Sequence, residues 1–201
     1  TDERDLMRDA LKRSMGDASL EEVRAGFNQR VEAGELIEAD RAAHEPARMY
    51  TTEKMIELER DNIGLMRAGQ NQHAPLGTEP TRQEIEREHA HLSNSQRAAV
   101  DEILGSRDQV TALEGAAGAG KTTSLAAIRD AAEREGYKVE GFAPTSRAAQ
   151  KLEEAGIESS TLQKYLQRGE QEPRGEKHLY VLDESSLAST KQMNEFLHRL
   201  N

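Results

Sequence analysis

Eight residues, Gly115-Ala-Ala-Gly118-Ala119-Gly120-Lys121-Thr122, fit the spacing G-x-x-x-x-G-K-[ST]. Further along, Asp183-Glu184 closes an apolar run, Leu179-Tyr-Val-Leu. The first set has the chemistry to grip a triphosphate. Glycines let backbone N–H groups close around phosphate oxygens, and a helix N-terminus adds partial positive charge. In such a loop Lys121 reaches the β- and γ-phosphates, and the Thr122 hydroxyl ligates Mg²⁺. The two carboxylates take separate tasks: Asp183 holds the magnesium shell, and Glu184 orients or deprotonates the attacking water. The candidate phosphate contacts are therefore Gly115, Gly118, Ala119, Gly120, Lys121, Thr122 and Thr123. A nucleoside triphosphate and Mg²⁺ are the expected ligands, with Thr122 and Asp183 on the metal and Lys121 and Glu184 as the catalytic pair. Either motif alone is a weak signal; their order and setting together make nucleoside triphosphate binding the expectation.

A phosphate loop of this kind works between a strand and a helix. Residues 110–113 give a short apolar run before it, and 122–134 a helical pattern after it. The same alternation extends over residues 92–201. It predicts helix 94–104, strand 109–113, helix 122–134, strand 138–142, helix 146–155, a short helix 161–167, strand 178–182 and helix 190–200. Strands alternating with helices imply an α/β fold with a parallel sheet covered on both faces.

Upstream, residues 1–70 carry a different pattern. Leu6, Met7, Ala10, Leu11 and Met15 recur at helical spacing, as do Leu20, Val23, Phe27 and Val31. Ser19-Leu-Glu-Glu22 is a capping box that opens the second helix, and Ala33-Gly34 ends it. Glu35-Leu-Ile-Glu38 is a short extended stretch, and 39–48 is polar and contains proline. Tyr50-Thr-Thr leads into a third helix with a stripe of Met55, Leu58, Ile63 and Met66. Two helices, a short β-piece and a helix describe a small helical, winged-helix-like module. Its simplest role is packing, and a grip on DNA is the sharper alternative. Residues 71–91 form a linker, marked by Pro75, Gly77 and Pro80, followed by a charged helix that Thr81-Arg-Gln-Glu84 opens as a second capping box.

Four further signals each have a plain reading and a functional one. Leu92-Ser93-Asn-Ser-Gln96 is a capping box in form, yet the Gln96 amide also matches the donor and acceptor on the edge of adenine. In Ala143-Pro-Thr145-Ser146-Arg147 the turn chemistry explains itself, while Thr145, Ser146 and Arg147 could also meet a nucleic-acid phosphate. Ser160-Thr161-Leu-Gln163 is again box-like, with Thr161 a candidate backbone contact. His89 and His91 look like a metal pair. Their charged neighbours, however, place them on a solvated helix, where residues two apart diverge.

Composition bounds the rest. The 201 residues are 32% charged, 35% hydrophobic and 3% aromatic, and the net charge is −10. This balance fits a helix-rich protein with a modest core and argues against a non-specific nucleic-acid coat. No apolar run approaches the roughly 20 residues that span a bilayer. The polar start and the absence of cysteine fit a cytoplasmic chain without membrane insertion.

With these residues laid out, the sequence resembles superfamily 1 DNA helicases of the RecD-like branch, and above all the helicase region of TraI/TrwC-type (MobF) conjugative relaxases. Leu92, Ser93 and Gln96 match that family's L-S-x-x-Q adenine motif, which raises Gln96 to an adenine contact. Residues 115–122 match its phosphate loop, and Ala143-Pro-Thr145 resembles its first DNA-contact motif. Asp183-Glu184-Ser185-Ser186 is similar to its D-E-A-S box, with Ser185 in place of alanine. Arg48-Met-Tyr-Thr-Thr52 and the helix after it look like the segment preceding the helicase core. The resemblance implies a RecA-like fold, with 92–201 as the N-terminal part of the first motor domain. The implied activity is ATP hydrolysis coupled to translocation on single-stranded DNA in a bacterial cytoplasm, with relaxosome and type IV secretion components as partners. The sequence ends seventeen residues after Glu184, before the family's later motifs. The expectation is therefore an internal fragment, nearly inactive by itself. Two alternatives stand beside it: an interaction module read as a secretion signal, and a non-helicase P-loop switch or kinase.

Overall fold

The computed structural model describes residues 1–39, 48–116, 118–168 and 175–200. These divide into two compact units, Thr1–Asp61 and Asn62–Asn201. The break falls inside a helix that the sequence analysis gives wholly to the N-terminal module.

In the first unit, α1 (Glu3–Arg13) and α2 (Leu20–Glu32) precede a two-stranded antiparallel pair, β1 (Ile37–Glu38) and β2 (Tyr50–Thr51). The capping box at Ser19 forms as its spacing predicts, with Ser19 N–H donating to the Glu22 carboxylate at 2.7 Å. Met7, Phe27 and Tyr50 make the core, and the Phe27 and Tyr50 rings meet edge to face at 4.9 Å. The chain start is laced to β2: Thr1 N donates to Tyr50 O, and Tyr50 N donates back to Thr1 O. Most of the polar 39–48 segment lies outside the described residues. Met15 departs from its expected place in the first apolar stripe. The helix ends at Arg13, and Met15 sits beyond it in a left-handed turn, 92% exposed.

The third helix, α3 (Glu53–Ala68), has Met55, Ile63 and Met66 exposed. Of the apolar stripe read from the sequence, Leu58 alone is half-buried, and the buried residue of the helix is Asn62. Within the second unit Asn62 Nδ2 donates to Thr190 O, and Asn194 Nδ2 donates to Asn62 Oδ1 at 2.9 Å.

The second unit continues with α4 (Glu79–Glu88), α5 (Asn94–Gly105), α6 (Lys121–Arg134), β3 (Tyr137–Ala143), α7 (Ser146–Glu154), β4 (Glu158–Thr161), α8 (Leu162–Gln167), β5 (Lys177–Leu182) and α9 (Thr190–Arg199). The three strands form one parallel sheet in the order β4-β3-β5. Alternation along the strands sorts the core onto two faces. Val139 and Leu179 meet Ile128, Ala132 and Leu152 of α6 and α7 on one face. Phe142 and Tyr180 meet Tyr165 and Phe196 of α8 and α9 on the other, with the Phe142 and Tyr165 rings 4.2 Å apart. This is the α/β P-loop architecture anticipated from the alternating pattern. Among the described residues, no helix is long and apolar enough to cross a membrane.

Three further sequence expectations fail in this unit, for identifiable reasons. Residues 109–113 are not a strand. Their leading backbone is drawn to the preceding turn instead: Gln109 N donates to Gly69 O, and Arg107 O accepts from His73 N. No strand among the described residues occupies the free edge of β5 to offer a ladder. The box at Thr81–Glu84 is absent because α4 starts earlier, at Glu79, where Pro80 suits the first turn. The box at Ser160 is absent because 158–161 form β4, a strand missed from sequence. Thr161 caps α8 instead, accepting from Lys164 N.

Candidate nucleotide-binding site

The strand–helix connections bring the candidate residues to one edge of the sheet. A two-residue turn joins α6 to β3, so the two run antiparallel. Fourteen helical residues span about 21 Å, and seven strand residues about 23 Å. The N-terminus of α6, with Lys121, therefore lies beside the C-terminal end of β3. Asp183 and Glu184 follow β5, Thr145 follows β3, and Thr161 ends β4. The register Phe142↔Leu182 and Ala143↔Thr161 sets all three chain exits side by side. Ligands of open parallel sheets bind at this carboxyl edge.

The loop itself needs two left-handed residues, Gly118 at φ 79° and Gly120 at φ 77°. At Gly120 the left-handed conformation calls for glycine, and a Cβ there would meet Gln96 Nε2, the movable end of that side chain. Ala119 N donates to Ala116 O at 3.1 Å, and the Gly120 carbonyl accepts from Thr123 N and Ser124 N. Lys121 folds back on the loop, its Nζ donating to Gly115 O at 2.5 Å and to Ala116 O at 3.3 Å. A phosphate oxygen is a stronger, charge-assisted acceptor for this ammonium than either neutral carbonyl. Thr122 is exposed and Thr123 half-buried.

At the neighbouring turn, Asp183 N donates to Phe142 O, extending the ladder by one residue. Asp183 Oδ1 accepts from Glu184 N at 2.9 Å. Glu184 adopts φ 50°, ψ 38°, a left-handed conformation that costs a residue with a side chain about 1 kcal/mol or more. The backbone thereby leaves the line of the strand at Glu184. Oxygen donors from Asp183 and Thr122 are the type that suits Mg²⁺.

Thr145 caps α7, its hydroxyl accepting from Ala148 N at 3.2 Å, and Thr145, Ser146 and Arg147 are all exposed. The capping role expected of Thr145 is met, and its exposed neighbours stand on the same edge as the loop. Gln96 completes the group. Its Oε1 accepts from Ser93 N at 2.8 Å, closing the anticipated capping box, while its Nε2 donates to Ala119 O and Gly120 O, both at 3.2 Å.

With this geometry in place, the comparisons with known proteins are decisive. The AAA domain family matches residues 91–201, more than half of the chain. The chain belongs to the AAA domain family. Its relatives are conjugation proteins and helicases. It is 36% identical over 156 residues to the conjugal transfer protein TraA of Rhizobium radiobacter, covering 76% of this chain and 14% of that protein. It is 28% identical over 199 residues to the multifunctional conjugation protein TraI of Escherichia coli K12, covering 94% of this chain and 11% of the relative. The ATP-dependent RecD2 DNA helicase of Deinococcus radiodurans is 34% identical over 116 residues, covering 53% of this chain and 16% of that helicase. The resemblance drawn from the motifs, to conjugative relaxases and RecD-like helicases, is thus borne out. The chain spans well under a fifth of the length of each of these relatives.

Around the AAA domain's loop helix the structure holds contacts that spacing does not reveal. His89 is not on a solvated face: it caps α4, largely buried, with Nε2 2.8 Å from Asp130 Oδ2. Burial pushes the Asp130 carboxyl up. Hydrogen bonds from Arg129 and His89, and their charges, outweigh it and hold the group below its ordinary value. No cluster of three potential metal ligands exists among the described residues. Glu135, just past α6, accepts from Thr78 Oγ1, Thr81 Oγ1 and Thr78 N through one carboxylate oxygen. These bonds, the Thr78 hydroxyl first, lower its pKa from 4.5 to about 2. Only the folded carboxylate is so favoured, so this stabilisation is complete above pH 4.5 and fades as pH falls toward 2. Thermal melts of Glu135→Gln should therefore fall less steeply across that window than those of the wild type. Parallel curves would show that the clamp contributes nothing. In the sequence the clue is Thr78 and Thr81 flanking Pro80 on one helical turn, a pattern that reads first as a cap.

Proposed function

We propose that the AAA domain binds Mg-ATP at residues 115–123 and, within a longer protein, couples its hydrolysis to movement along single-stranded DNA. The observation that carries this reading is the convergence of a lysine-bearing, doubly left-handed loop and the Asp183-Glu184 pair on one carboxyl edge of the sheet. Lys121 exchanges the Gly115 and Ala116 carbonyls for β- and γ-phosphate oxygens. Gly115, Gly118, Ala119, Gly120, Thr122 and Thr123 line the phosphates with backbone and hydroxyl groups. Thr122 and Asp183 would hold Mg²⁺, which when bound neutralises charge on the β- and γ-oxygens. Glu184 accepts a proton from water aimed at the γ-phosphorus, and Gln96 reads adenine.

Thr145, Ser146, Arg147 and Thr161 are the proposed contacts to the DNA backbone. Single-stranded binding would be backbone-led and salt-sensitive, since the chain is acidic overall. RecD2, named as an ATP-dependent DNA helicase, supports the motor reading, and TraA and TraI support a setting in conjugation. Relaxosome and secretion partners, and a bacterial cytoplasmic location, follow from that setting.

Titration calorimetry with ATP and Mg²⁺ tests the nucleotide half. One site per chain is expected, lost on removal of Mg²⁺ or on competition by inorganic tripolyphosphate. An absence of binding at millimolar ATP would end the proposal. Turnover stimulated by single-stranded DNA, weakened in Thr145→Ala with Arg147→Ala, tests the other half.

A further inference from the structure

The Gln96 side chain bridges two parts of the site. Its Oε1 accepts from Ser93 N at 2.8 Å, and its Nε2 donates to the carbonyls of Ala119 and Gly120. Chemistry fixes the orientation of this amide, because only the oxygen can accept from an N–H and only the nitrogen can donate to carbonyls. Both ends are therefore in use before any base arrives. The second partner is held by its own conformation: Gly120 is left-handed and caps α6, and Gln96 Nε2 sits where a Cβ of that residue would point. Its carbonyl also accepts from Thr123 N and Ser124 N, so Gln96 grips the peptide from which the first turn of α6 is hung.

We infer that Gln96 is a positioning residue for the phosphate loop, bracing the Ala119 and Gly120 carbonyls so that the loop's N–H groups stay turned toward the anion. This rests on the nucleotide-binding reading above and assigns Gln96 a task separate from reading the base. The bond to Ser93 N anchors the brace to the rigid start of α5. The bonds to the loop hold carbonyls away from the phosphate side, where they would repel it. Affinity lost with the brace is affinity for phosphate, whatever base is attached.

The test compares ATP, GTP and inorganic tripolyphosphate binding to the 201-residue chain, with Mg²⁺ present, for wild type, Gln96→Ala and Gln96→Glu. The glutamate keeps an acceptor for Ser93 N but cannot donate to the loop. High salt screens its added charge. Both variants are expected to weaken GTP and tripolyphosphate by a similar factor, about tenfold for two lost hydrogen bonds, and ATP by at least as much. Circular dichroism confirms that each remains folded. A loss confined to ATP, with tripolyphosphate unaffected, would overturn the brace in favour of a base contact. Full binding by Gln96→Glu would show that capping α5 is all the residue does, and overturn it equally. Wild type that binds none of the three refutes the nucleotide reading itself, a result distinct from both.

Discussion

Replacing Lys121 with alanine is expected to weaken ATP binding by at least about a hundredfold, the equivalent of two lost charge-assisted hydrogen bonds. The fold should survive the change. Among the described residues the hydrogen bonds of Lys121 Nζ go to the Gly115 and Ala116 carbonyls of the loop, and the core of α6 rests on Ala127, Ile128, Ala131 and Ala132 further along. A melting temperature near that of the wild type, with nucleotide binding gone, separates loss of the ligand contact from loss of structure. Binding within a factor of about two of the wild type would place the triphosphate elsewhere.

Glu184→Gln should part binding from chemistry. The amide keeps the size and the turn but cannot take a proton. On whichever length of the protein shows steady turnover, hydrolysis is expected to fall by about 10² to 10⁴, the usual share of a general base. ATP affinity should be retained. Equal losses in affinity and turnover would instead make Glu184 a binding group, and unchanged turnover would remove it from the reaction. Its left-handed backbone supports the first outcome, since such strain is kept where a side chain must be aimed.

Much of this site is legible in the amino-acid order alone. The phosphate loop, the strand ending in two acids and the threonine turn after β3 are local devices, in which a few consecutive residues dictate their own conformation. Gly118 and Gly120 announce left-handed backbone, Ser19 and Ser93 announce caps, and each appears where its spacing puts it. What stays hidden depends on partners far along the chain. Residues 109–113 look like a strand, but a strand exists only beside another, and their first hydrogen bonds go to the turn at Gly69. Ser160 looks like a cap until β4 pairs with β3 and takes its backbone into a ladder. His89 looks solvated because its charged neighbours stand beside it in sequence, whereas Asp130 lies forty-one residues on. Gln96 shows both sides of this. Its capping box is legible from three residues, but its hold on the Gly120 carbonyl crosses twenty-four positions and emerges only from the fold.

The most direct measurement is a crystal structure of the chain with Mg²⁺ and a non-hydrolysable ATP analogue. The expected result is the triphosphate seated on residues 115–123, with Lys121 Nζ drawn off the Gly115 and Ala116 carbonyls onto phosphate oxygens and Asp183 and Glu184 facing the γ-phosphate. Lys121 still folded onto its own loop at saturating nucleotide, with the analogue bound elsewhere or absent, would contradict it.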